Sequence, residues 1–194
     1  MFLEEPEDLP HHTPLHQLGA ALREVQDRVA STSAPADVAL AAAQQLTAVA
    51  QLLDPYRYDV ERDKSWGDIR RAFGTRTLAP DLFDVVHEGD RLDAKVCYSA
   101  FYLGGNGAVH GGALPLLMDQ VLGRVANHGR PLCRTAYLNI DFRHVTPIER
   151  DLRVEGYIER VEGRKRFTYG AIYDGDILTI EAHGLFIELR PGAE

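Results

Sequence analysis

The chain has 194 residues, 45% of them hydrophobic, and a formal charge of −8 from 21 basic and 29 acidic side chains. That size and hydrophobic content support one principal core and exclude a disordered chain. The negative balance argues against nucleic acid or an anionic membrane as the main partner.

Residues 1–12, MFLEEPEDLPHH, are acidic and proline-bearing where a signal peptide would be basic and then apolar. No run approaches the ~20 apolar residues of a membrane span. The two cysteines, Cys97 and Cys133, lie far apart in strand-like runs, which fits neither a metal-finger spacing nor a disulfide framework. A soluble, cytoplasmic protein is expected. His12 and His16 have the i, i+4 spacing of a metal pair but lack a third ligand, so no metal is expected.

From Thr13 the pattern turns helical. Leu15, Leu18, Leu22, Val25 and Val29 form one stripe behind a Thr13-Pro14 start. After the break at Ser31 to Pro35, an alanine-rich helix carries Ala39, Ala42, Ala43, Leu46, Val49, Ala50 and Leu53. Two helices with a short joint predict a helical hairpin, read as a packing or oligomer-covering extension. Asp54 to Asp81 is a polar connection holding the only tryptophan, Trp66, with a short helical turn within Ile69 to Phe73. These first 80 residues form one unit; residues 81–194 form the principal domain.

In that domain the period changes to two. Asp84–His87 and Arg91–Ser99 flank Glu88-Gly89-Asp90 as a half-buried hairpin. A glycine-rich turn and one helix follow, then strands over Arg134–Val145, Leu152–Val161, Arg166–Tyr173 and Ile177–Leu189, expected as a four-strand antiparallel meander. Asp174-Gly175 is a tight hairpin signal. An antiparallel sheet with one long apolar helix buries both by wrapping the helix, which predicts an α+β fold.

The stretch from Gly104 to Asn127, GGNGAVHGGALPLLMDQVLGRVAN, carries the chemistry. A helix starting near Gly111 or Gly112 tolerates Pro115 in its first turns. Leucines, methionine and valines cover nearly its whole circumference, so it is expected to be buried on all sides, with Asp119 a carboxylate in a largely apolar place. A lone buried charge is expensive unless bonded, paired or protonated. The plainer reading is a bond to neighbouring backbone or to Arg124. Unpaired amides at the helix start suit a carbonyl oxygen that becomes negative, and glycine admits a substrate to the backbone. The plainer reading there is a positive-φ turn capped by His110. Nine residues separate His110 from Asp119, about two and a half turns, so the two point to opposite sides. If both are catalytic, a two-fold dimer with shared sites follows.

His110-Gly-Gly-Ala-Leu-Pro-Leu-Leu-Met-Asp119, followed by Leu138-Asn-Ile-Asp-Phe-Arg-His-Val-Thr-Pro147, resembles hotdog-fold acyl-CoA thioesterases of the phenylacetate-pathway (PaaI-like) type over about Pro80 to Leu189. The resemblance implies a sheet wrapped around the helix, dimers pairing sheets edge to edge, and further association into tetramers. It implies that Asp119 acts as general base or nucleophile and that Gly111, with Gly112 nearby, supplies the amide that polarises the thioester carbonyl. It implies that His110 holds that region and that Thr135 positions water or the carboxylate. Several relatives in that family carry Asn or Gln six residues before the histidine, where this chain has Gly104; Asn106, two residues later, is the substitute candidate. Coenzyme A is part of the substrate and no separate cofactor is implied. Its phosphates call for basic residues at the mouth, with Arg143, Arg150, Arg164, Lys165 and Arg166 as candidates.

Three other readings touch parts of the same pattern. Gly105-Asn106-Gly107 lacks the later glycine and the βαβ context of a dinucleotide fingerprint. A hydratase needs Asp and His on one face. A non-catalytic acyl-CoA binding or sensor protein would keep the pocket and could keep Asp119.

Overall fold

A computed structural model describes residues 14–56 and 79–190, apart from the side chains of Leu15 and His16. Thr13, the His12–His16 pairing, Trp66 and the expected turn at Ile69–Phe73 fall outside that range.

Two helices come first, α1 (Pro14–Ser31) and α2 (Ala36–Leu53). The expected extension is present, but its stripes do not close on each other as a packed hairpin: no residue of α2 is buried. The strands are β1 (Leu82–Glu88), β2 (Arg91–Cys97), β3 (Cys133–Phe142), β4 (Asp151–Glu162), β5 (Lys165–Asp174) and β6 (Ile177–Glu188), with α3 (Ala113–Asn127) between β2 and β3. Tight turns join β4 to β5 and β5 to β6, where Gly163 and Gly175 have φ of 57° and 59°, a conformation glycine reaches without strain.

The sheet is antiparallel in the order β1-β2-β4-β5-β6-β3. This corrects the simple four-strand meander. Only β4, β5 and β6 run on in sequence; β3 lies on the far edge, paired with β6 from Cys133↔Glu188 to Phe142↔Ile180. The chain leaves α3 at that edge and returns through residues 143–150 to place β4 beside β2. Strand pairing is decided by where the helix delivers the chain, which no local pattern encodes.

The sheet wraps α3 because its centre is built from small residues. Gly156, Gly170 and Ala182 lie opposite one another on β4, β5 and β6. A Cβ on Gly170 would fall 2.4 Å from Met118 Cε and 2.9 Å from a Leu122 methyl, and one on Gly156 2.9 Å from Val121 Cγ1. Leu117, Met118, Val121 and Leu122 on α3 are completely buried against this row, together with Leu92, Val96, Leu152, Val154, Ile172 and Ile180. Each such side chain contributes roughly 1.5–3 kcal/mol through its removal from water. This is the α+β hotdog arrangement, a single helix held in a curved antiparallel sheet.

One expectation about α3 is overturned. The sheet covers only part of it; Leu116, Asp119, Gln120 and Gly123 share the opposite side and are half-buried. Positions 116, 120 and 123 recur at helical steps, so they form a continuous, partly open strip.

Candidate active site

α3 begins at Ala113, later than the HGG motif itself, so the direction of His110 is set by a loop and not by helical phase. That loop is held at several points. The His110 amide donates to the Tyr102 carbonyl at 2.7 Å, the Val109 amide donates to the Thr146 carbonyl at 2.8 Å, and Ala108 bridges Pro147. The returning segment 143–150 therefore clamps the motif against the end of the sheet, and its Glu149 amide also bonds the Tyr98 carbonyl at 2.7 Å.

His110 is exposed, and its Nδ1 accepts the Gly112 amide at 3.1 Å. This bond consumes the Gly112 N–H. The Gly111 amide, one residue earlier, has no acceptor among the described residues. Gly111 is exposed, and a Cβ there would meet only the Phe142 ring at 3.8 Å. Phe142, which alternates with the partly buried Leu138 and Ile140 on β3, is itself 58% exposed, its ring beside Gly111. Its place at the strand end, next to a bare glycine, emerges only in three dimensions.

Asp119 lies on the uncovered side of α3. Its Oδ1 accepts a hydrogen bond from Thr135 Oγ1 at 2.8 Å. Thr135 stands on β3 just before the bulge at Ala136, opposite Phe186 on β6. The carboxylate is half-buried, so the lone charge in a dry interior that the sequence suggested is not what the fold presents. The partner shown for the carboxylate is the Thr135 hydroxyl.

Gly111 and Asp119 are eight residues apart, on the order of 12 Å at 1.5 Å per residue. A single thioester group cannot touch both within one copy of the chain. One copy thus holds two separate groupings, Gly111 beside Phe142 and Asp119 bonded to Thr135.

The glycine-rich turn before the motif explains the departure at position 104. The Gly104 amide donates to the Ala108 carbonyl at 2.7 Å, and a Cβ on Gly104 would sit 2.9 Å from His110 Cα. Backbone on backbone leaves no room there. Asn106 is exposed and has φ 58°, ψ 32°, a left-handed conformation that asparagine tolerates better than most residues. The turn by itself accounts for that residue type.

The basic candidates divide. Arg143 donates to Glu181 at 2.8 and 3.0 Å and to Asp141 at 3.2 Å, so two carboxylates already neutralise it. Arg150 pairs with Asp174 at 2.7 Å. Arg164 donates to the Glu188 carbonyl at 2.8 Å and remains exposed, as does Lys165. Arg166 is not at any mouth. It is 3% exposed, bonds the Pro131 carbonyl and Glu188 at 2.8 Å each, and also donates to the Ala126 carbonyl at the end of α3. A cation at a helix C-terminus satisfies orphan carbonyls and complements the dipole. Arg143 lies next to Thr179 on β6 and Lys165 next to Ile187, eight residues and roughly 26 Å apart along the strand. Arg143 therefore belongs to the Gly111 end, Arg164 and Lys165 to the Thr135 end.

A separate groove of about 360 Å³ lies between α1 and the β1–β2 end, lined by Arg23, Asp27, Phe83, Phe101 and Tyr102 among others, and includes none of the motif residues. Among the described residues no group of three or more His, Cys, Asp or Glu side chains is placed to hold a metal, and no helix is long and apolar enough to cross a membrane. Cys97 and Cys133 are free thiols.

The wrapped helix, the HGG loop at its start and the carboxylate on its open side define a hotdog-type site. Residues 106–182 match the family described as the thioesterase superfamily. The likeness covers 77 of the 194 residues. Acyl-coenzyme A thioesterase THEM4 of Rattus norvegicus is 36% identical over 87 residues, covering 44% of this chain and 37% of that protein. The Xenopus laevis protein of the same name is 33% identical over 87 residues, covering 44% and 39%. The match thus spans well under half the length of these curated relatives. A solved thioesterase superfamily protein, 25% identical, overlays 93% of this chain and 94% of its own with a TM-score of 0.71. A Streptococcus mutans protein solved with acetyl CoA shares the fold at 16% identity and a TM-score of 0.52, over 55% of this chain and 87% of its own.

Proposed function

We propose that this chain hydrolyses acyl-CoA thioesters to a free acid and coenzyme A. The observation that carries the reading is the Thr135–Asp119 hydrogen bond on the uncovered side of α3. An acceptor-only carboxylate oriented by a hydroxyl, open to solvent, suits proton abstraction from water. In the general-base form, Asp119 takes a proton from water as the hydroxide oxygen bonds to the thioester carbon. The tetrahedral oxyanion then collapses, the C–S bond breaks, and the CoA thiolate leaves and is protonated. In the nucleophilic form, Asp119 attacks the carbon, CoA leaves, and water hydrolyses the resulting anhydride.

The oxyanion requires a donor, and the Gly111 amide is the one exposed at the right motif. Because Gly111 and Asp119 of one copy are too far apart, the active unit is a two-fold dimer in which Gly111 of one copy faces Asp119 and Thr135 of the other. His110, bonded to the Gly112 amide, keeps that loop in shape. Gly112 and Asn106 line the approach, and Arg164 and Lys165 at the Thr135 end supply charge for the CoA phosphates, whereas Arg143 at the other end is already paired with Glu181 and Asp141. The names of the matched relatives support the substrate class, and tetramers are a compatible further assembly.

A second reading, a non-catalytic acyl-CoA binding protein, keeps the same surface, since Asp119 in a bonded but half-open position is also compatible with simple recognition. Thiol release over short, medium, long and aromatic acyl-CoAs, with wild type and Asp119→Asn, separates the two. Release that is lost in the variant while acyl-CoA binding persists supports hydrolysis. Tight binding with no release from any substrate supports the sensor. Mixing Asp119→Ala with a variant blocked at Gly111 tests sharing: proven heterodimers that recover no activity would count against it.

A further inference from the structure

The N-terminal helices present surfaces that the proposed chemistry leaves unused. α1 is turned inside out. Its side toward the sheet is polar: Gly19 is buried there, Arg23 pairs with Asp81 at 2.6 Å, and Asp27 accepts the Phe101 amide at 3.1 Å. Its apolar stripe is largely open to solvent, with Leu18 39%, Leu22 42% and Val29 61% exposed and Val25 half-buried. α2 goes further, for none of its residues is buried, and Val38, Leu46, Val49 and Leu53 are 52%, 39%, 45% and 41% exposed.

These stripes are ordered. In α1 the positions 18, 22, 25 and 29 advance by four, three and four residues; in α2, positions 38, 42, 46, 49 and 53 advance by four, four, three and four. That stepping puts each set on one side of its helix and is the spacing of a helix–helix seam. The other side of α2 carries Asp37, Gln44 and Gln51 with one exposed leucine, Leu40, among them, and Leu52, 71% exposed, flanks the seam. Contiguous exposed apolar surface of this kind marks an interface.

What covers the seams can be argued from charge, size and placement. Helices that lie on membranes carry Lys and Arg on their polar side, whereas α2 has no basic residue and the chain carries a charge of −8. The chain's own sheet is not the cover, because α2 buries nothing against it. A second copy supplies seams of matching step. Each helix has 18 residues, about 27 Å, and two such seams are on the scale of the ~800 Å² per partner of a stable interface. The solved thioesterase superfamily protein overlays 93% of this chain, an extent reached only when the helices are included, so the extension recurs in a second protein.

We propose that α1 and α2 form an interface between copies of this chain, the apolar seams of one copy packing on those of another. It is separate from the pairing that would share a thioester site. The extension attaches beside β1 and β2, through Asp81 and Phe101, while Thr135 lies on β3 at the opposite edge of the sheet. One chain can therefore use both interfaces at once. This inference does not depend on hydrolysis.

Leu46→Glu with Val49→Glu puts two carboxylates into the α2 seam, and Gln44→Glu with Gln51→Glu puts the same charge on its other side. Sedimentation of the full chain is expected to give the seam variant half the wild-type mass and the other variant the wild-type mass, with circular dichroism unchanged in both. A seam variant of wild-type mass overturns the proposal, and so does an equal loss in both variants. Wild type that runs at the seam variant's mass but pellets with phosphatidylcholine vesicles assigns the seam to lipid and also overturns it. Amide exchange in unsubstituted α2 reads the same point: slow exchange is expected of a seam buried between copies, and exchange as fast as in an isolated exposed helix contradicts it.

Discussion

Thr135 on β3 donates a 2.8 Å hydrogen bond to Oδ1 of Asp119 on α3, tying the edge strand of the sheet to the uncovered side of the helix. The two residues are sixteen apart in sequence and neither is buried. Removing the hydroxyl with Thr135→Val frees the carboxylate to rotate and deprives it of a donor. We expect kcat for thiol release to fall about 10- to 100-fold, with little change in melting temperature, and Thr135→Ser to recover most of the rate. An equal loss in the valine and serine variants would show that the hydroxyl is not what matters.

The Gly104 backbone presses on His110 at a distance that excludes a Cβ. Gly104→Asn is therefore expected to push the HGG loop out of place. The cost should be about 1–3 kcal/mol of stability, the usual penalty of overpacking, with thiol release lowered and not raised. Urea unfolding and the thiol assay on one sample check both halves. Improved release at unchanged stability would mean that the loop can open to accept the side chain.

Arg166 is the buried cation that closes the end of α3, bonded to Glu188 and to main-chain carbonyls from two segments. Arg166→Leu leaves those carbonyls unsatisfied and Glu188 without its partner. Because Glu188 keeps 30% side-chain exposure, water recovers part of the loss. A reduction of about 2–3 kcal/mol is expected, at the lower end for breaking a buried pair, measured as a shift in the urea midpoint at constant slope. Arg164→Ala, at an exposed neighbour, should leave that midpoint nearly where it was.

Glu181 accepts bonds from Arg143 and from the Tyr169 hydroxyl at 3.0 Å, and these hold its carboxyl below the ordinary carboxylate range. A lowered folded pKa contributes stability that is fully present above the unfolded value of about 4.3 and is lost as pH falls through the folded value. The stability difference between wild type and Glu181→Gln should therefore be largest near neutral pH and shrink below about pH 4. It should also shrink in high salt, since the group is near the surface. Unfolding midpoints from pH 7 to pH 3 test this, and a difference independent of pH would contradict it.

The sequence by itself determined which segments are helix and which are strand, because those choices follow from local periodicity and turn chemistry. The alternation through Leu92, Ala94 and Val96, the Asp174-Gly175 turn and the apolar run from Leu114 to Val125 are local, and each became the expected element. The HGG motif and the carboxylate nine residues on were likewise legible, and so was Thr135, through the family resemblance. Only the tertiary structure decided that β3 lies beside β6, that Arg166 is a buried helix cap, that Phe142 stands against Gly111, and that one side of α3 stays open. Among the described residues it also left the stripes of α1 and α2 without cover. Periodicity says that a surface is apolar; what covers it depends on pairings between residues distant in sequence and on neighbouring copies, which a one-dimensional pattern does not carry.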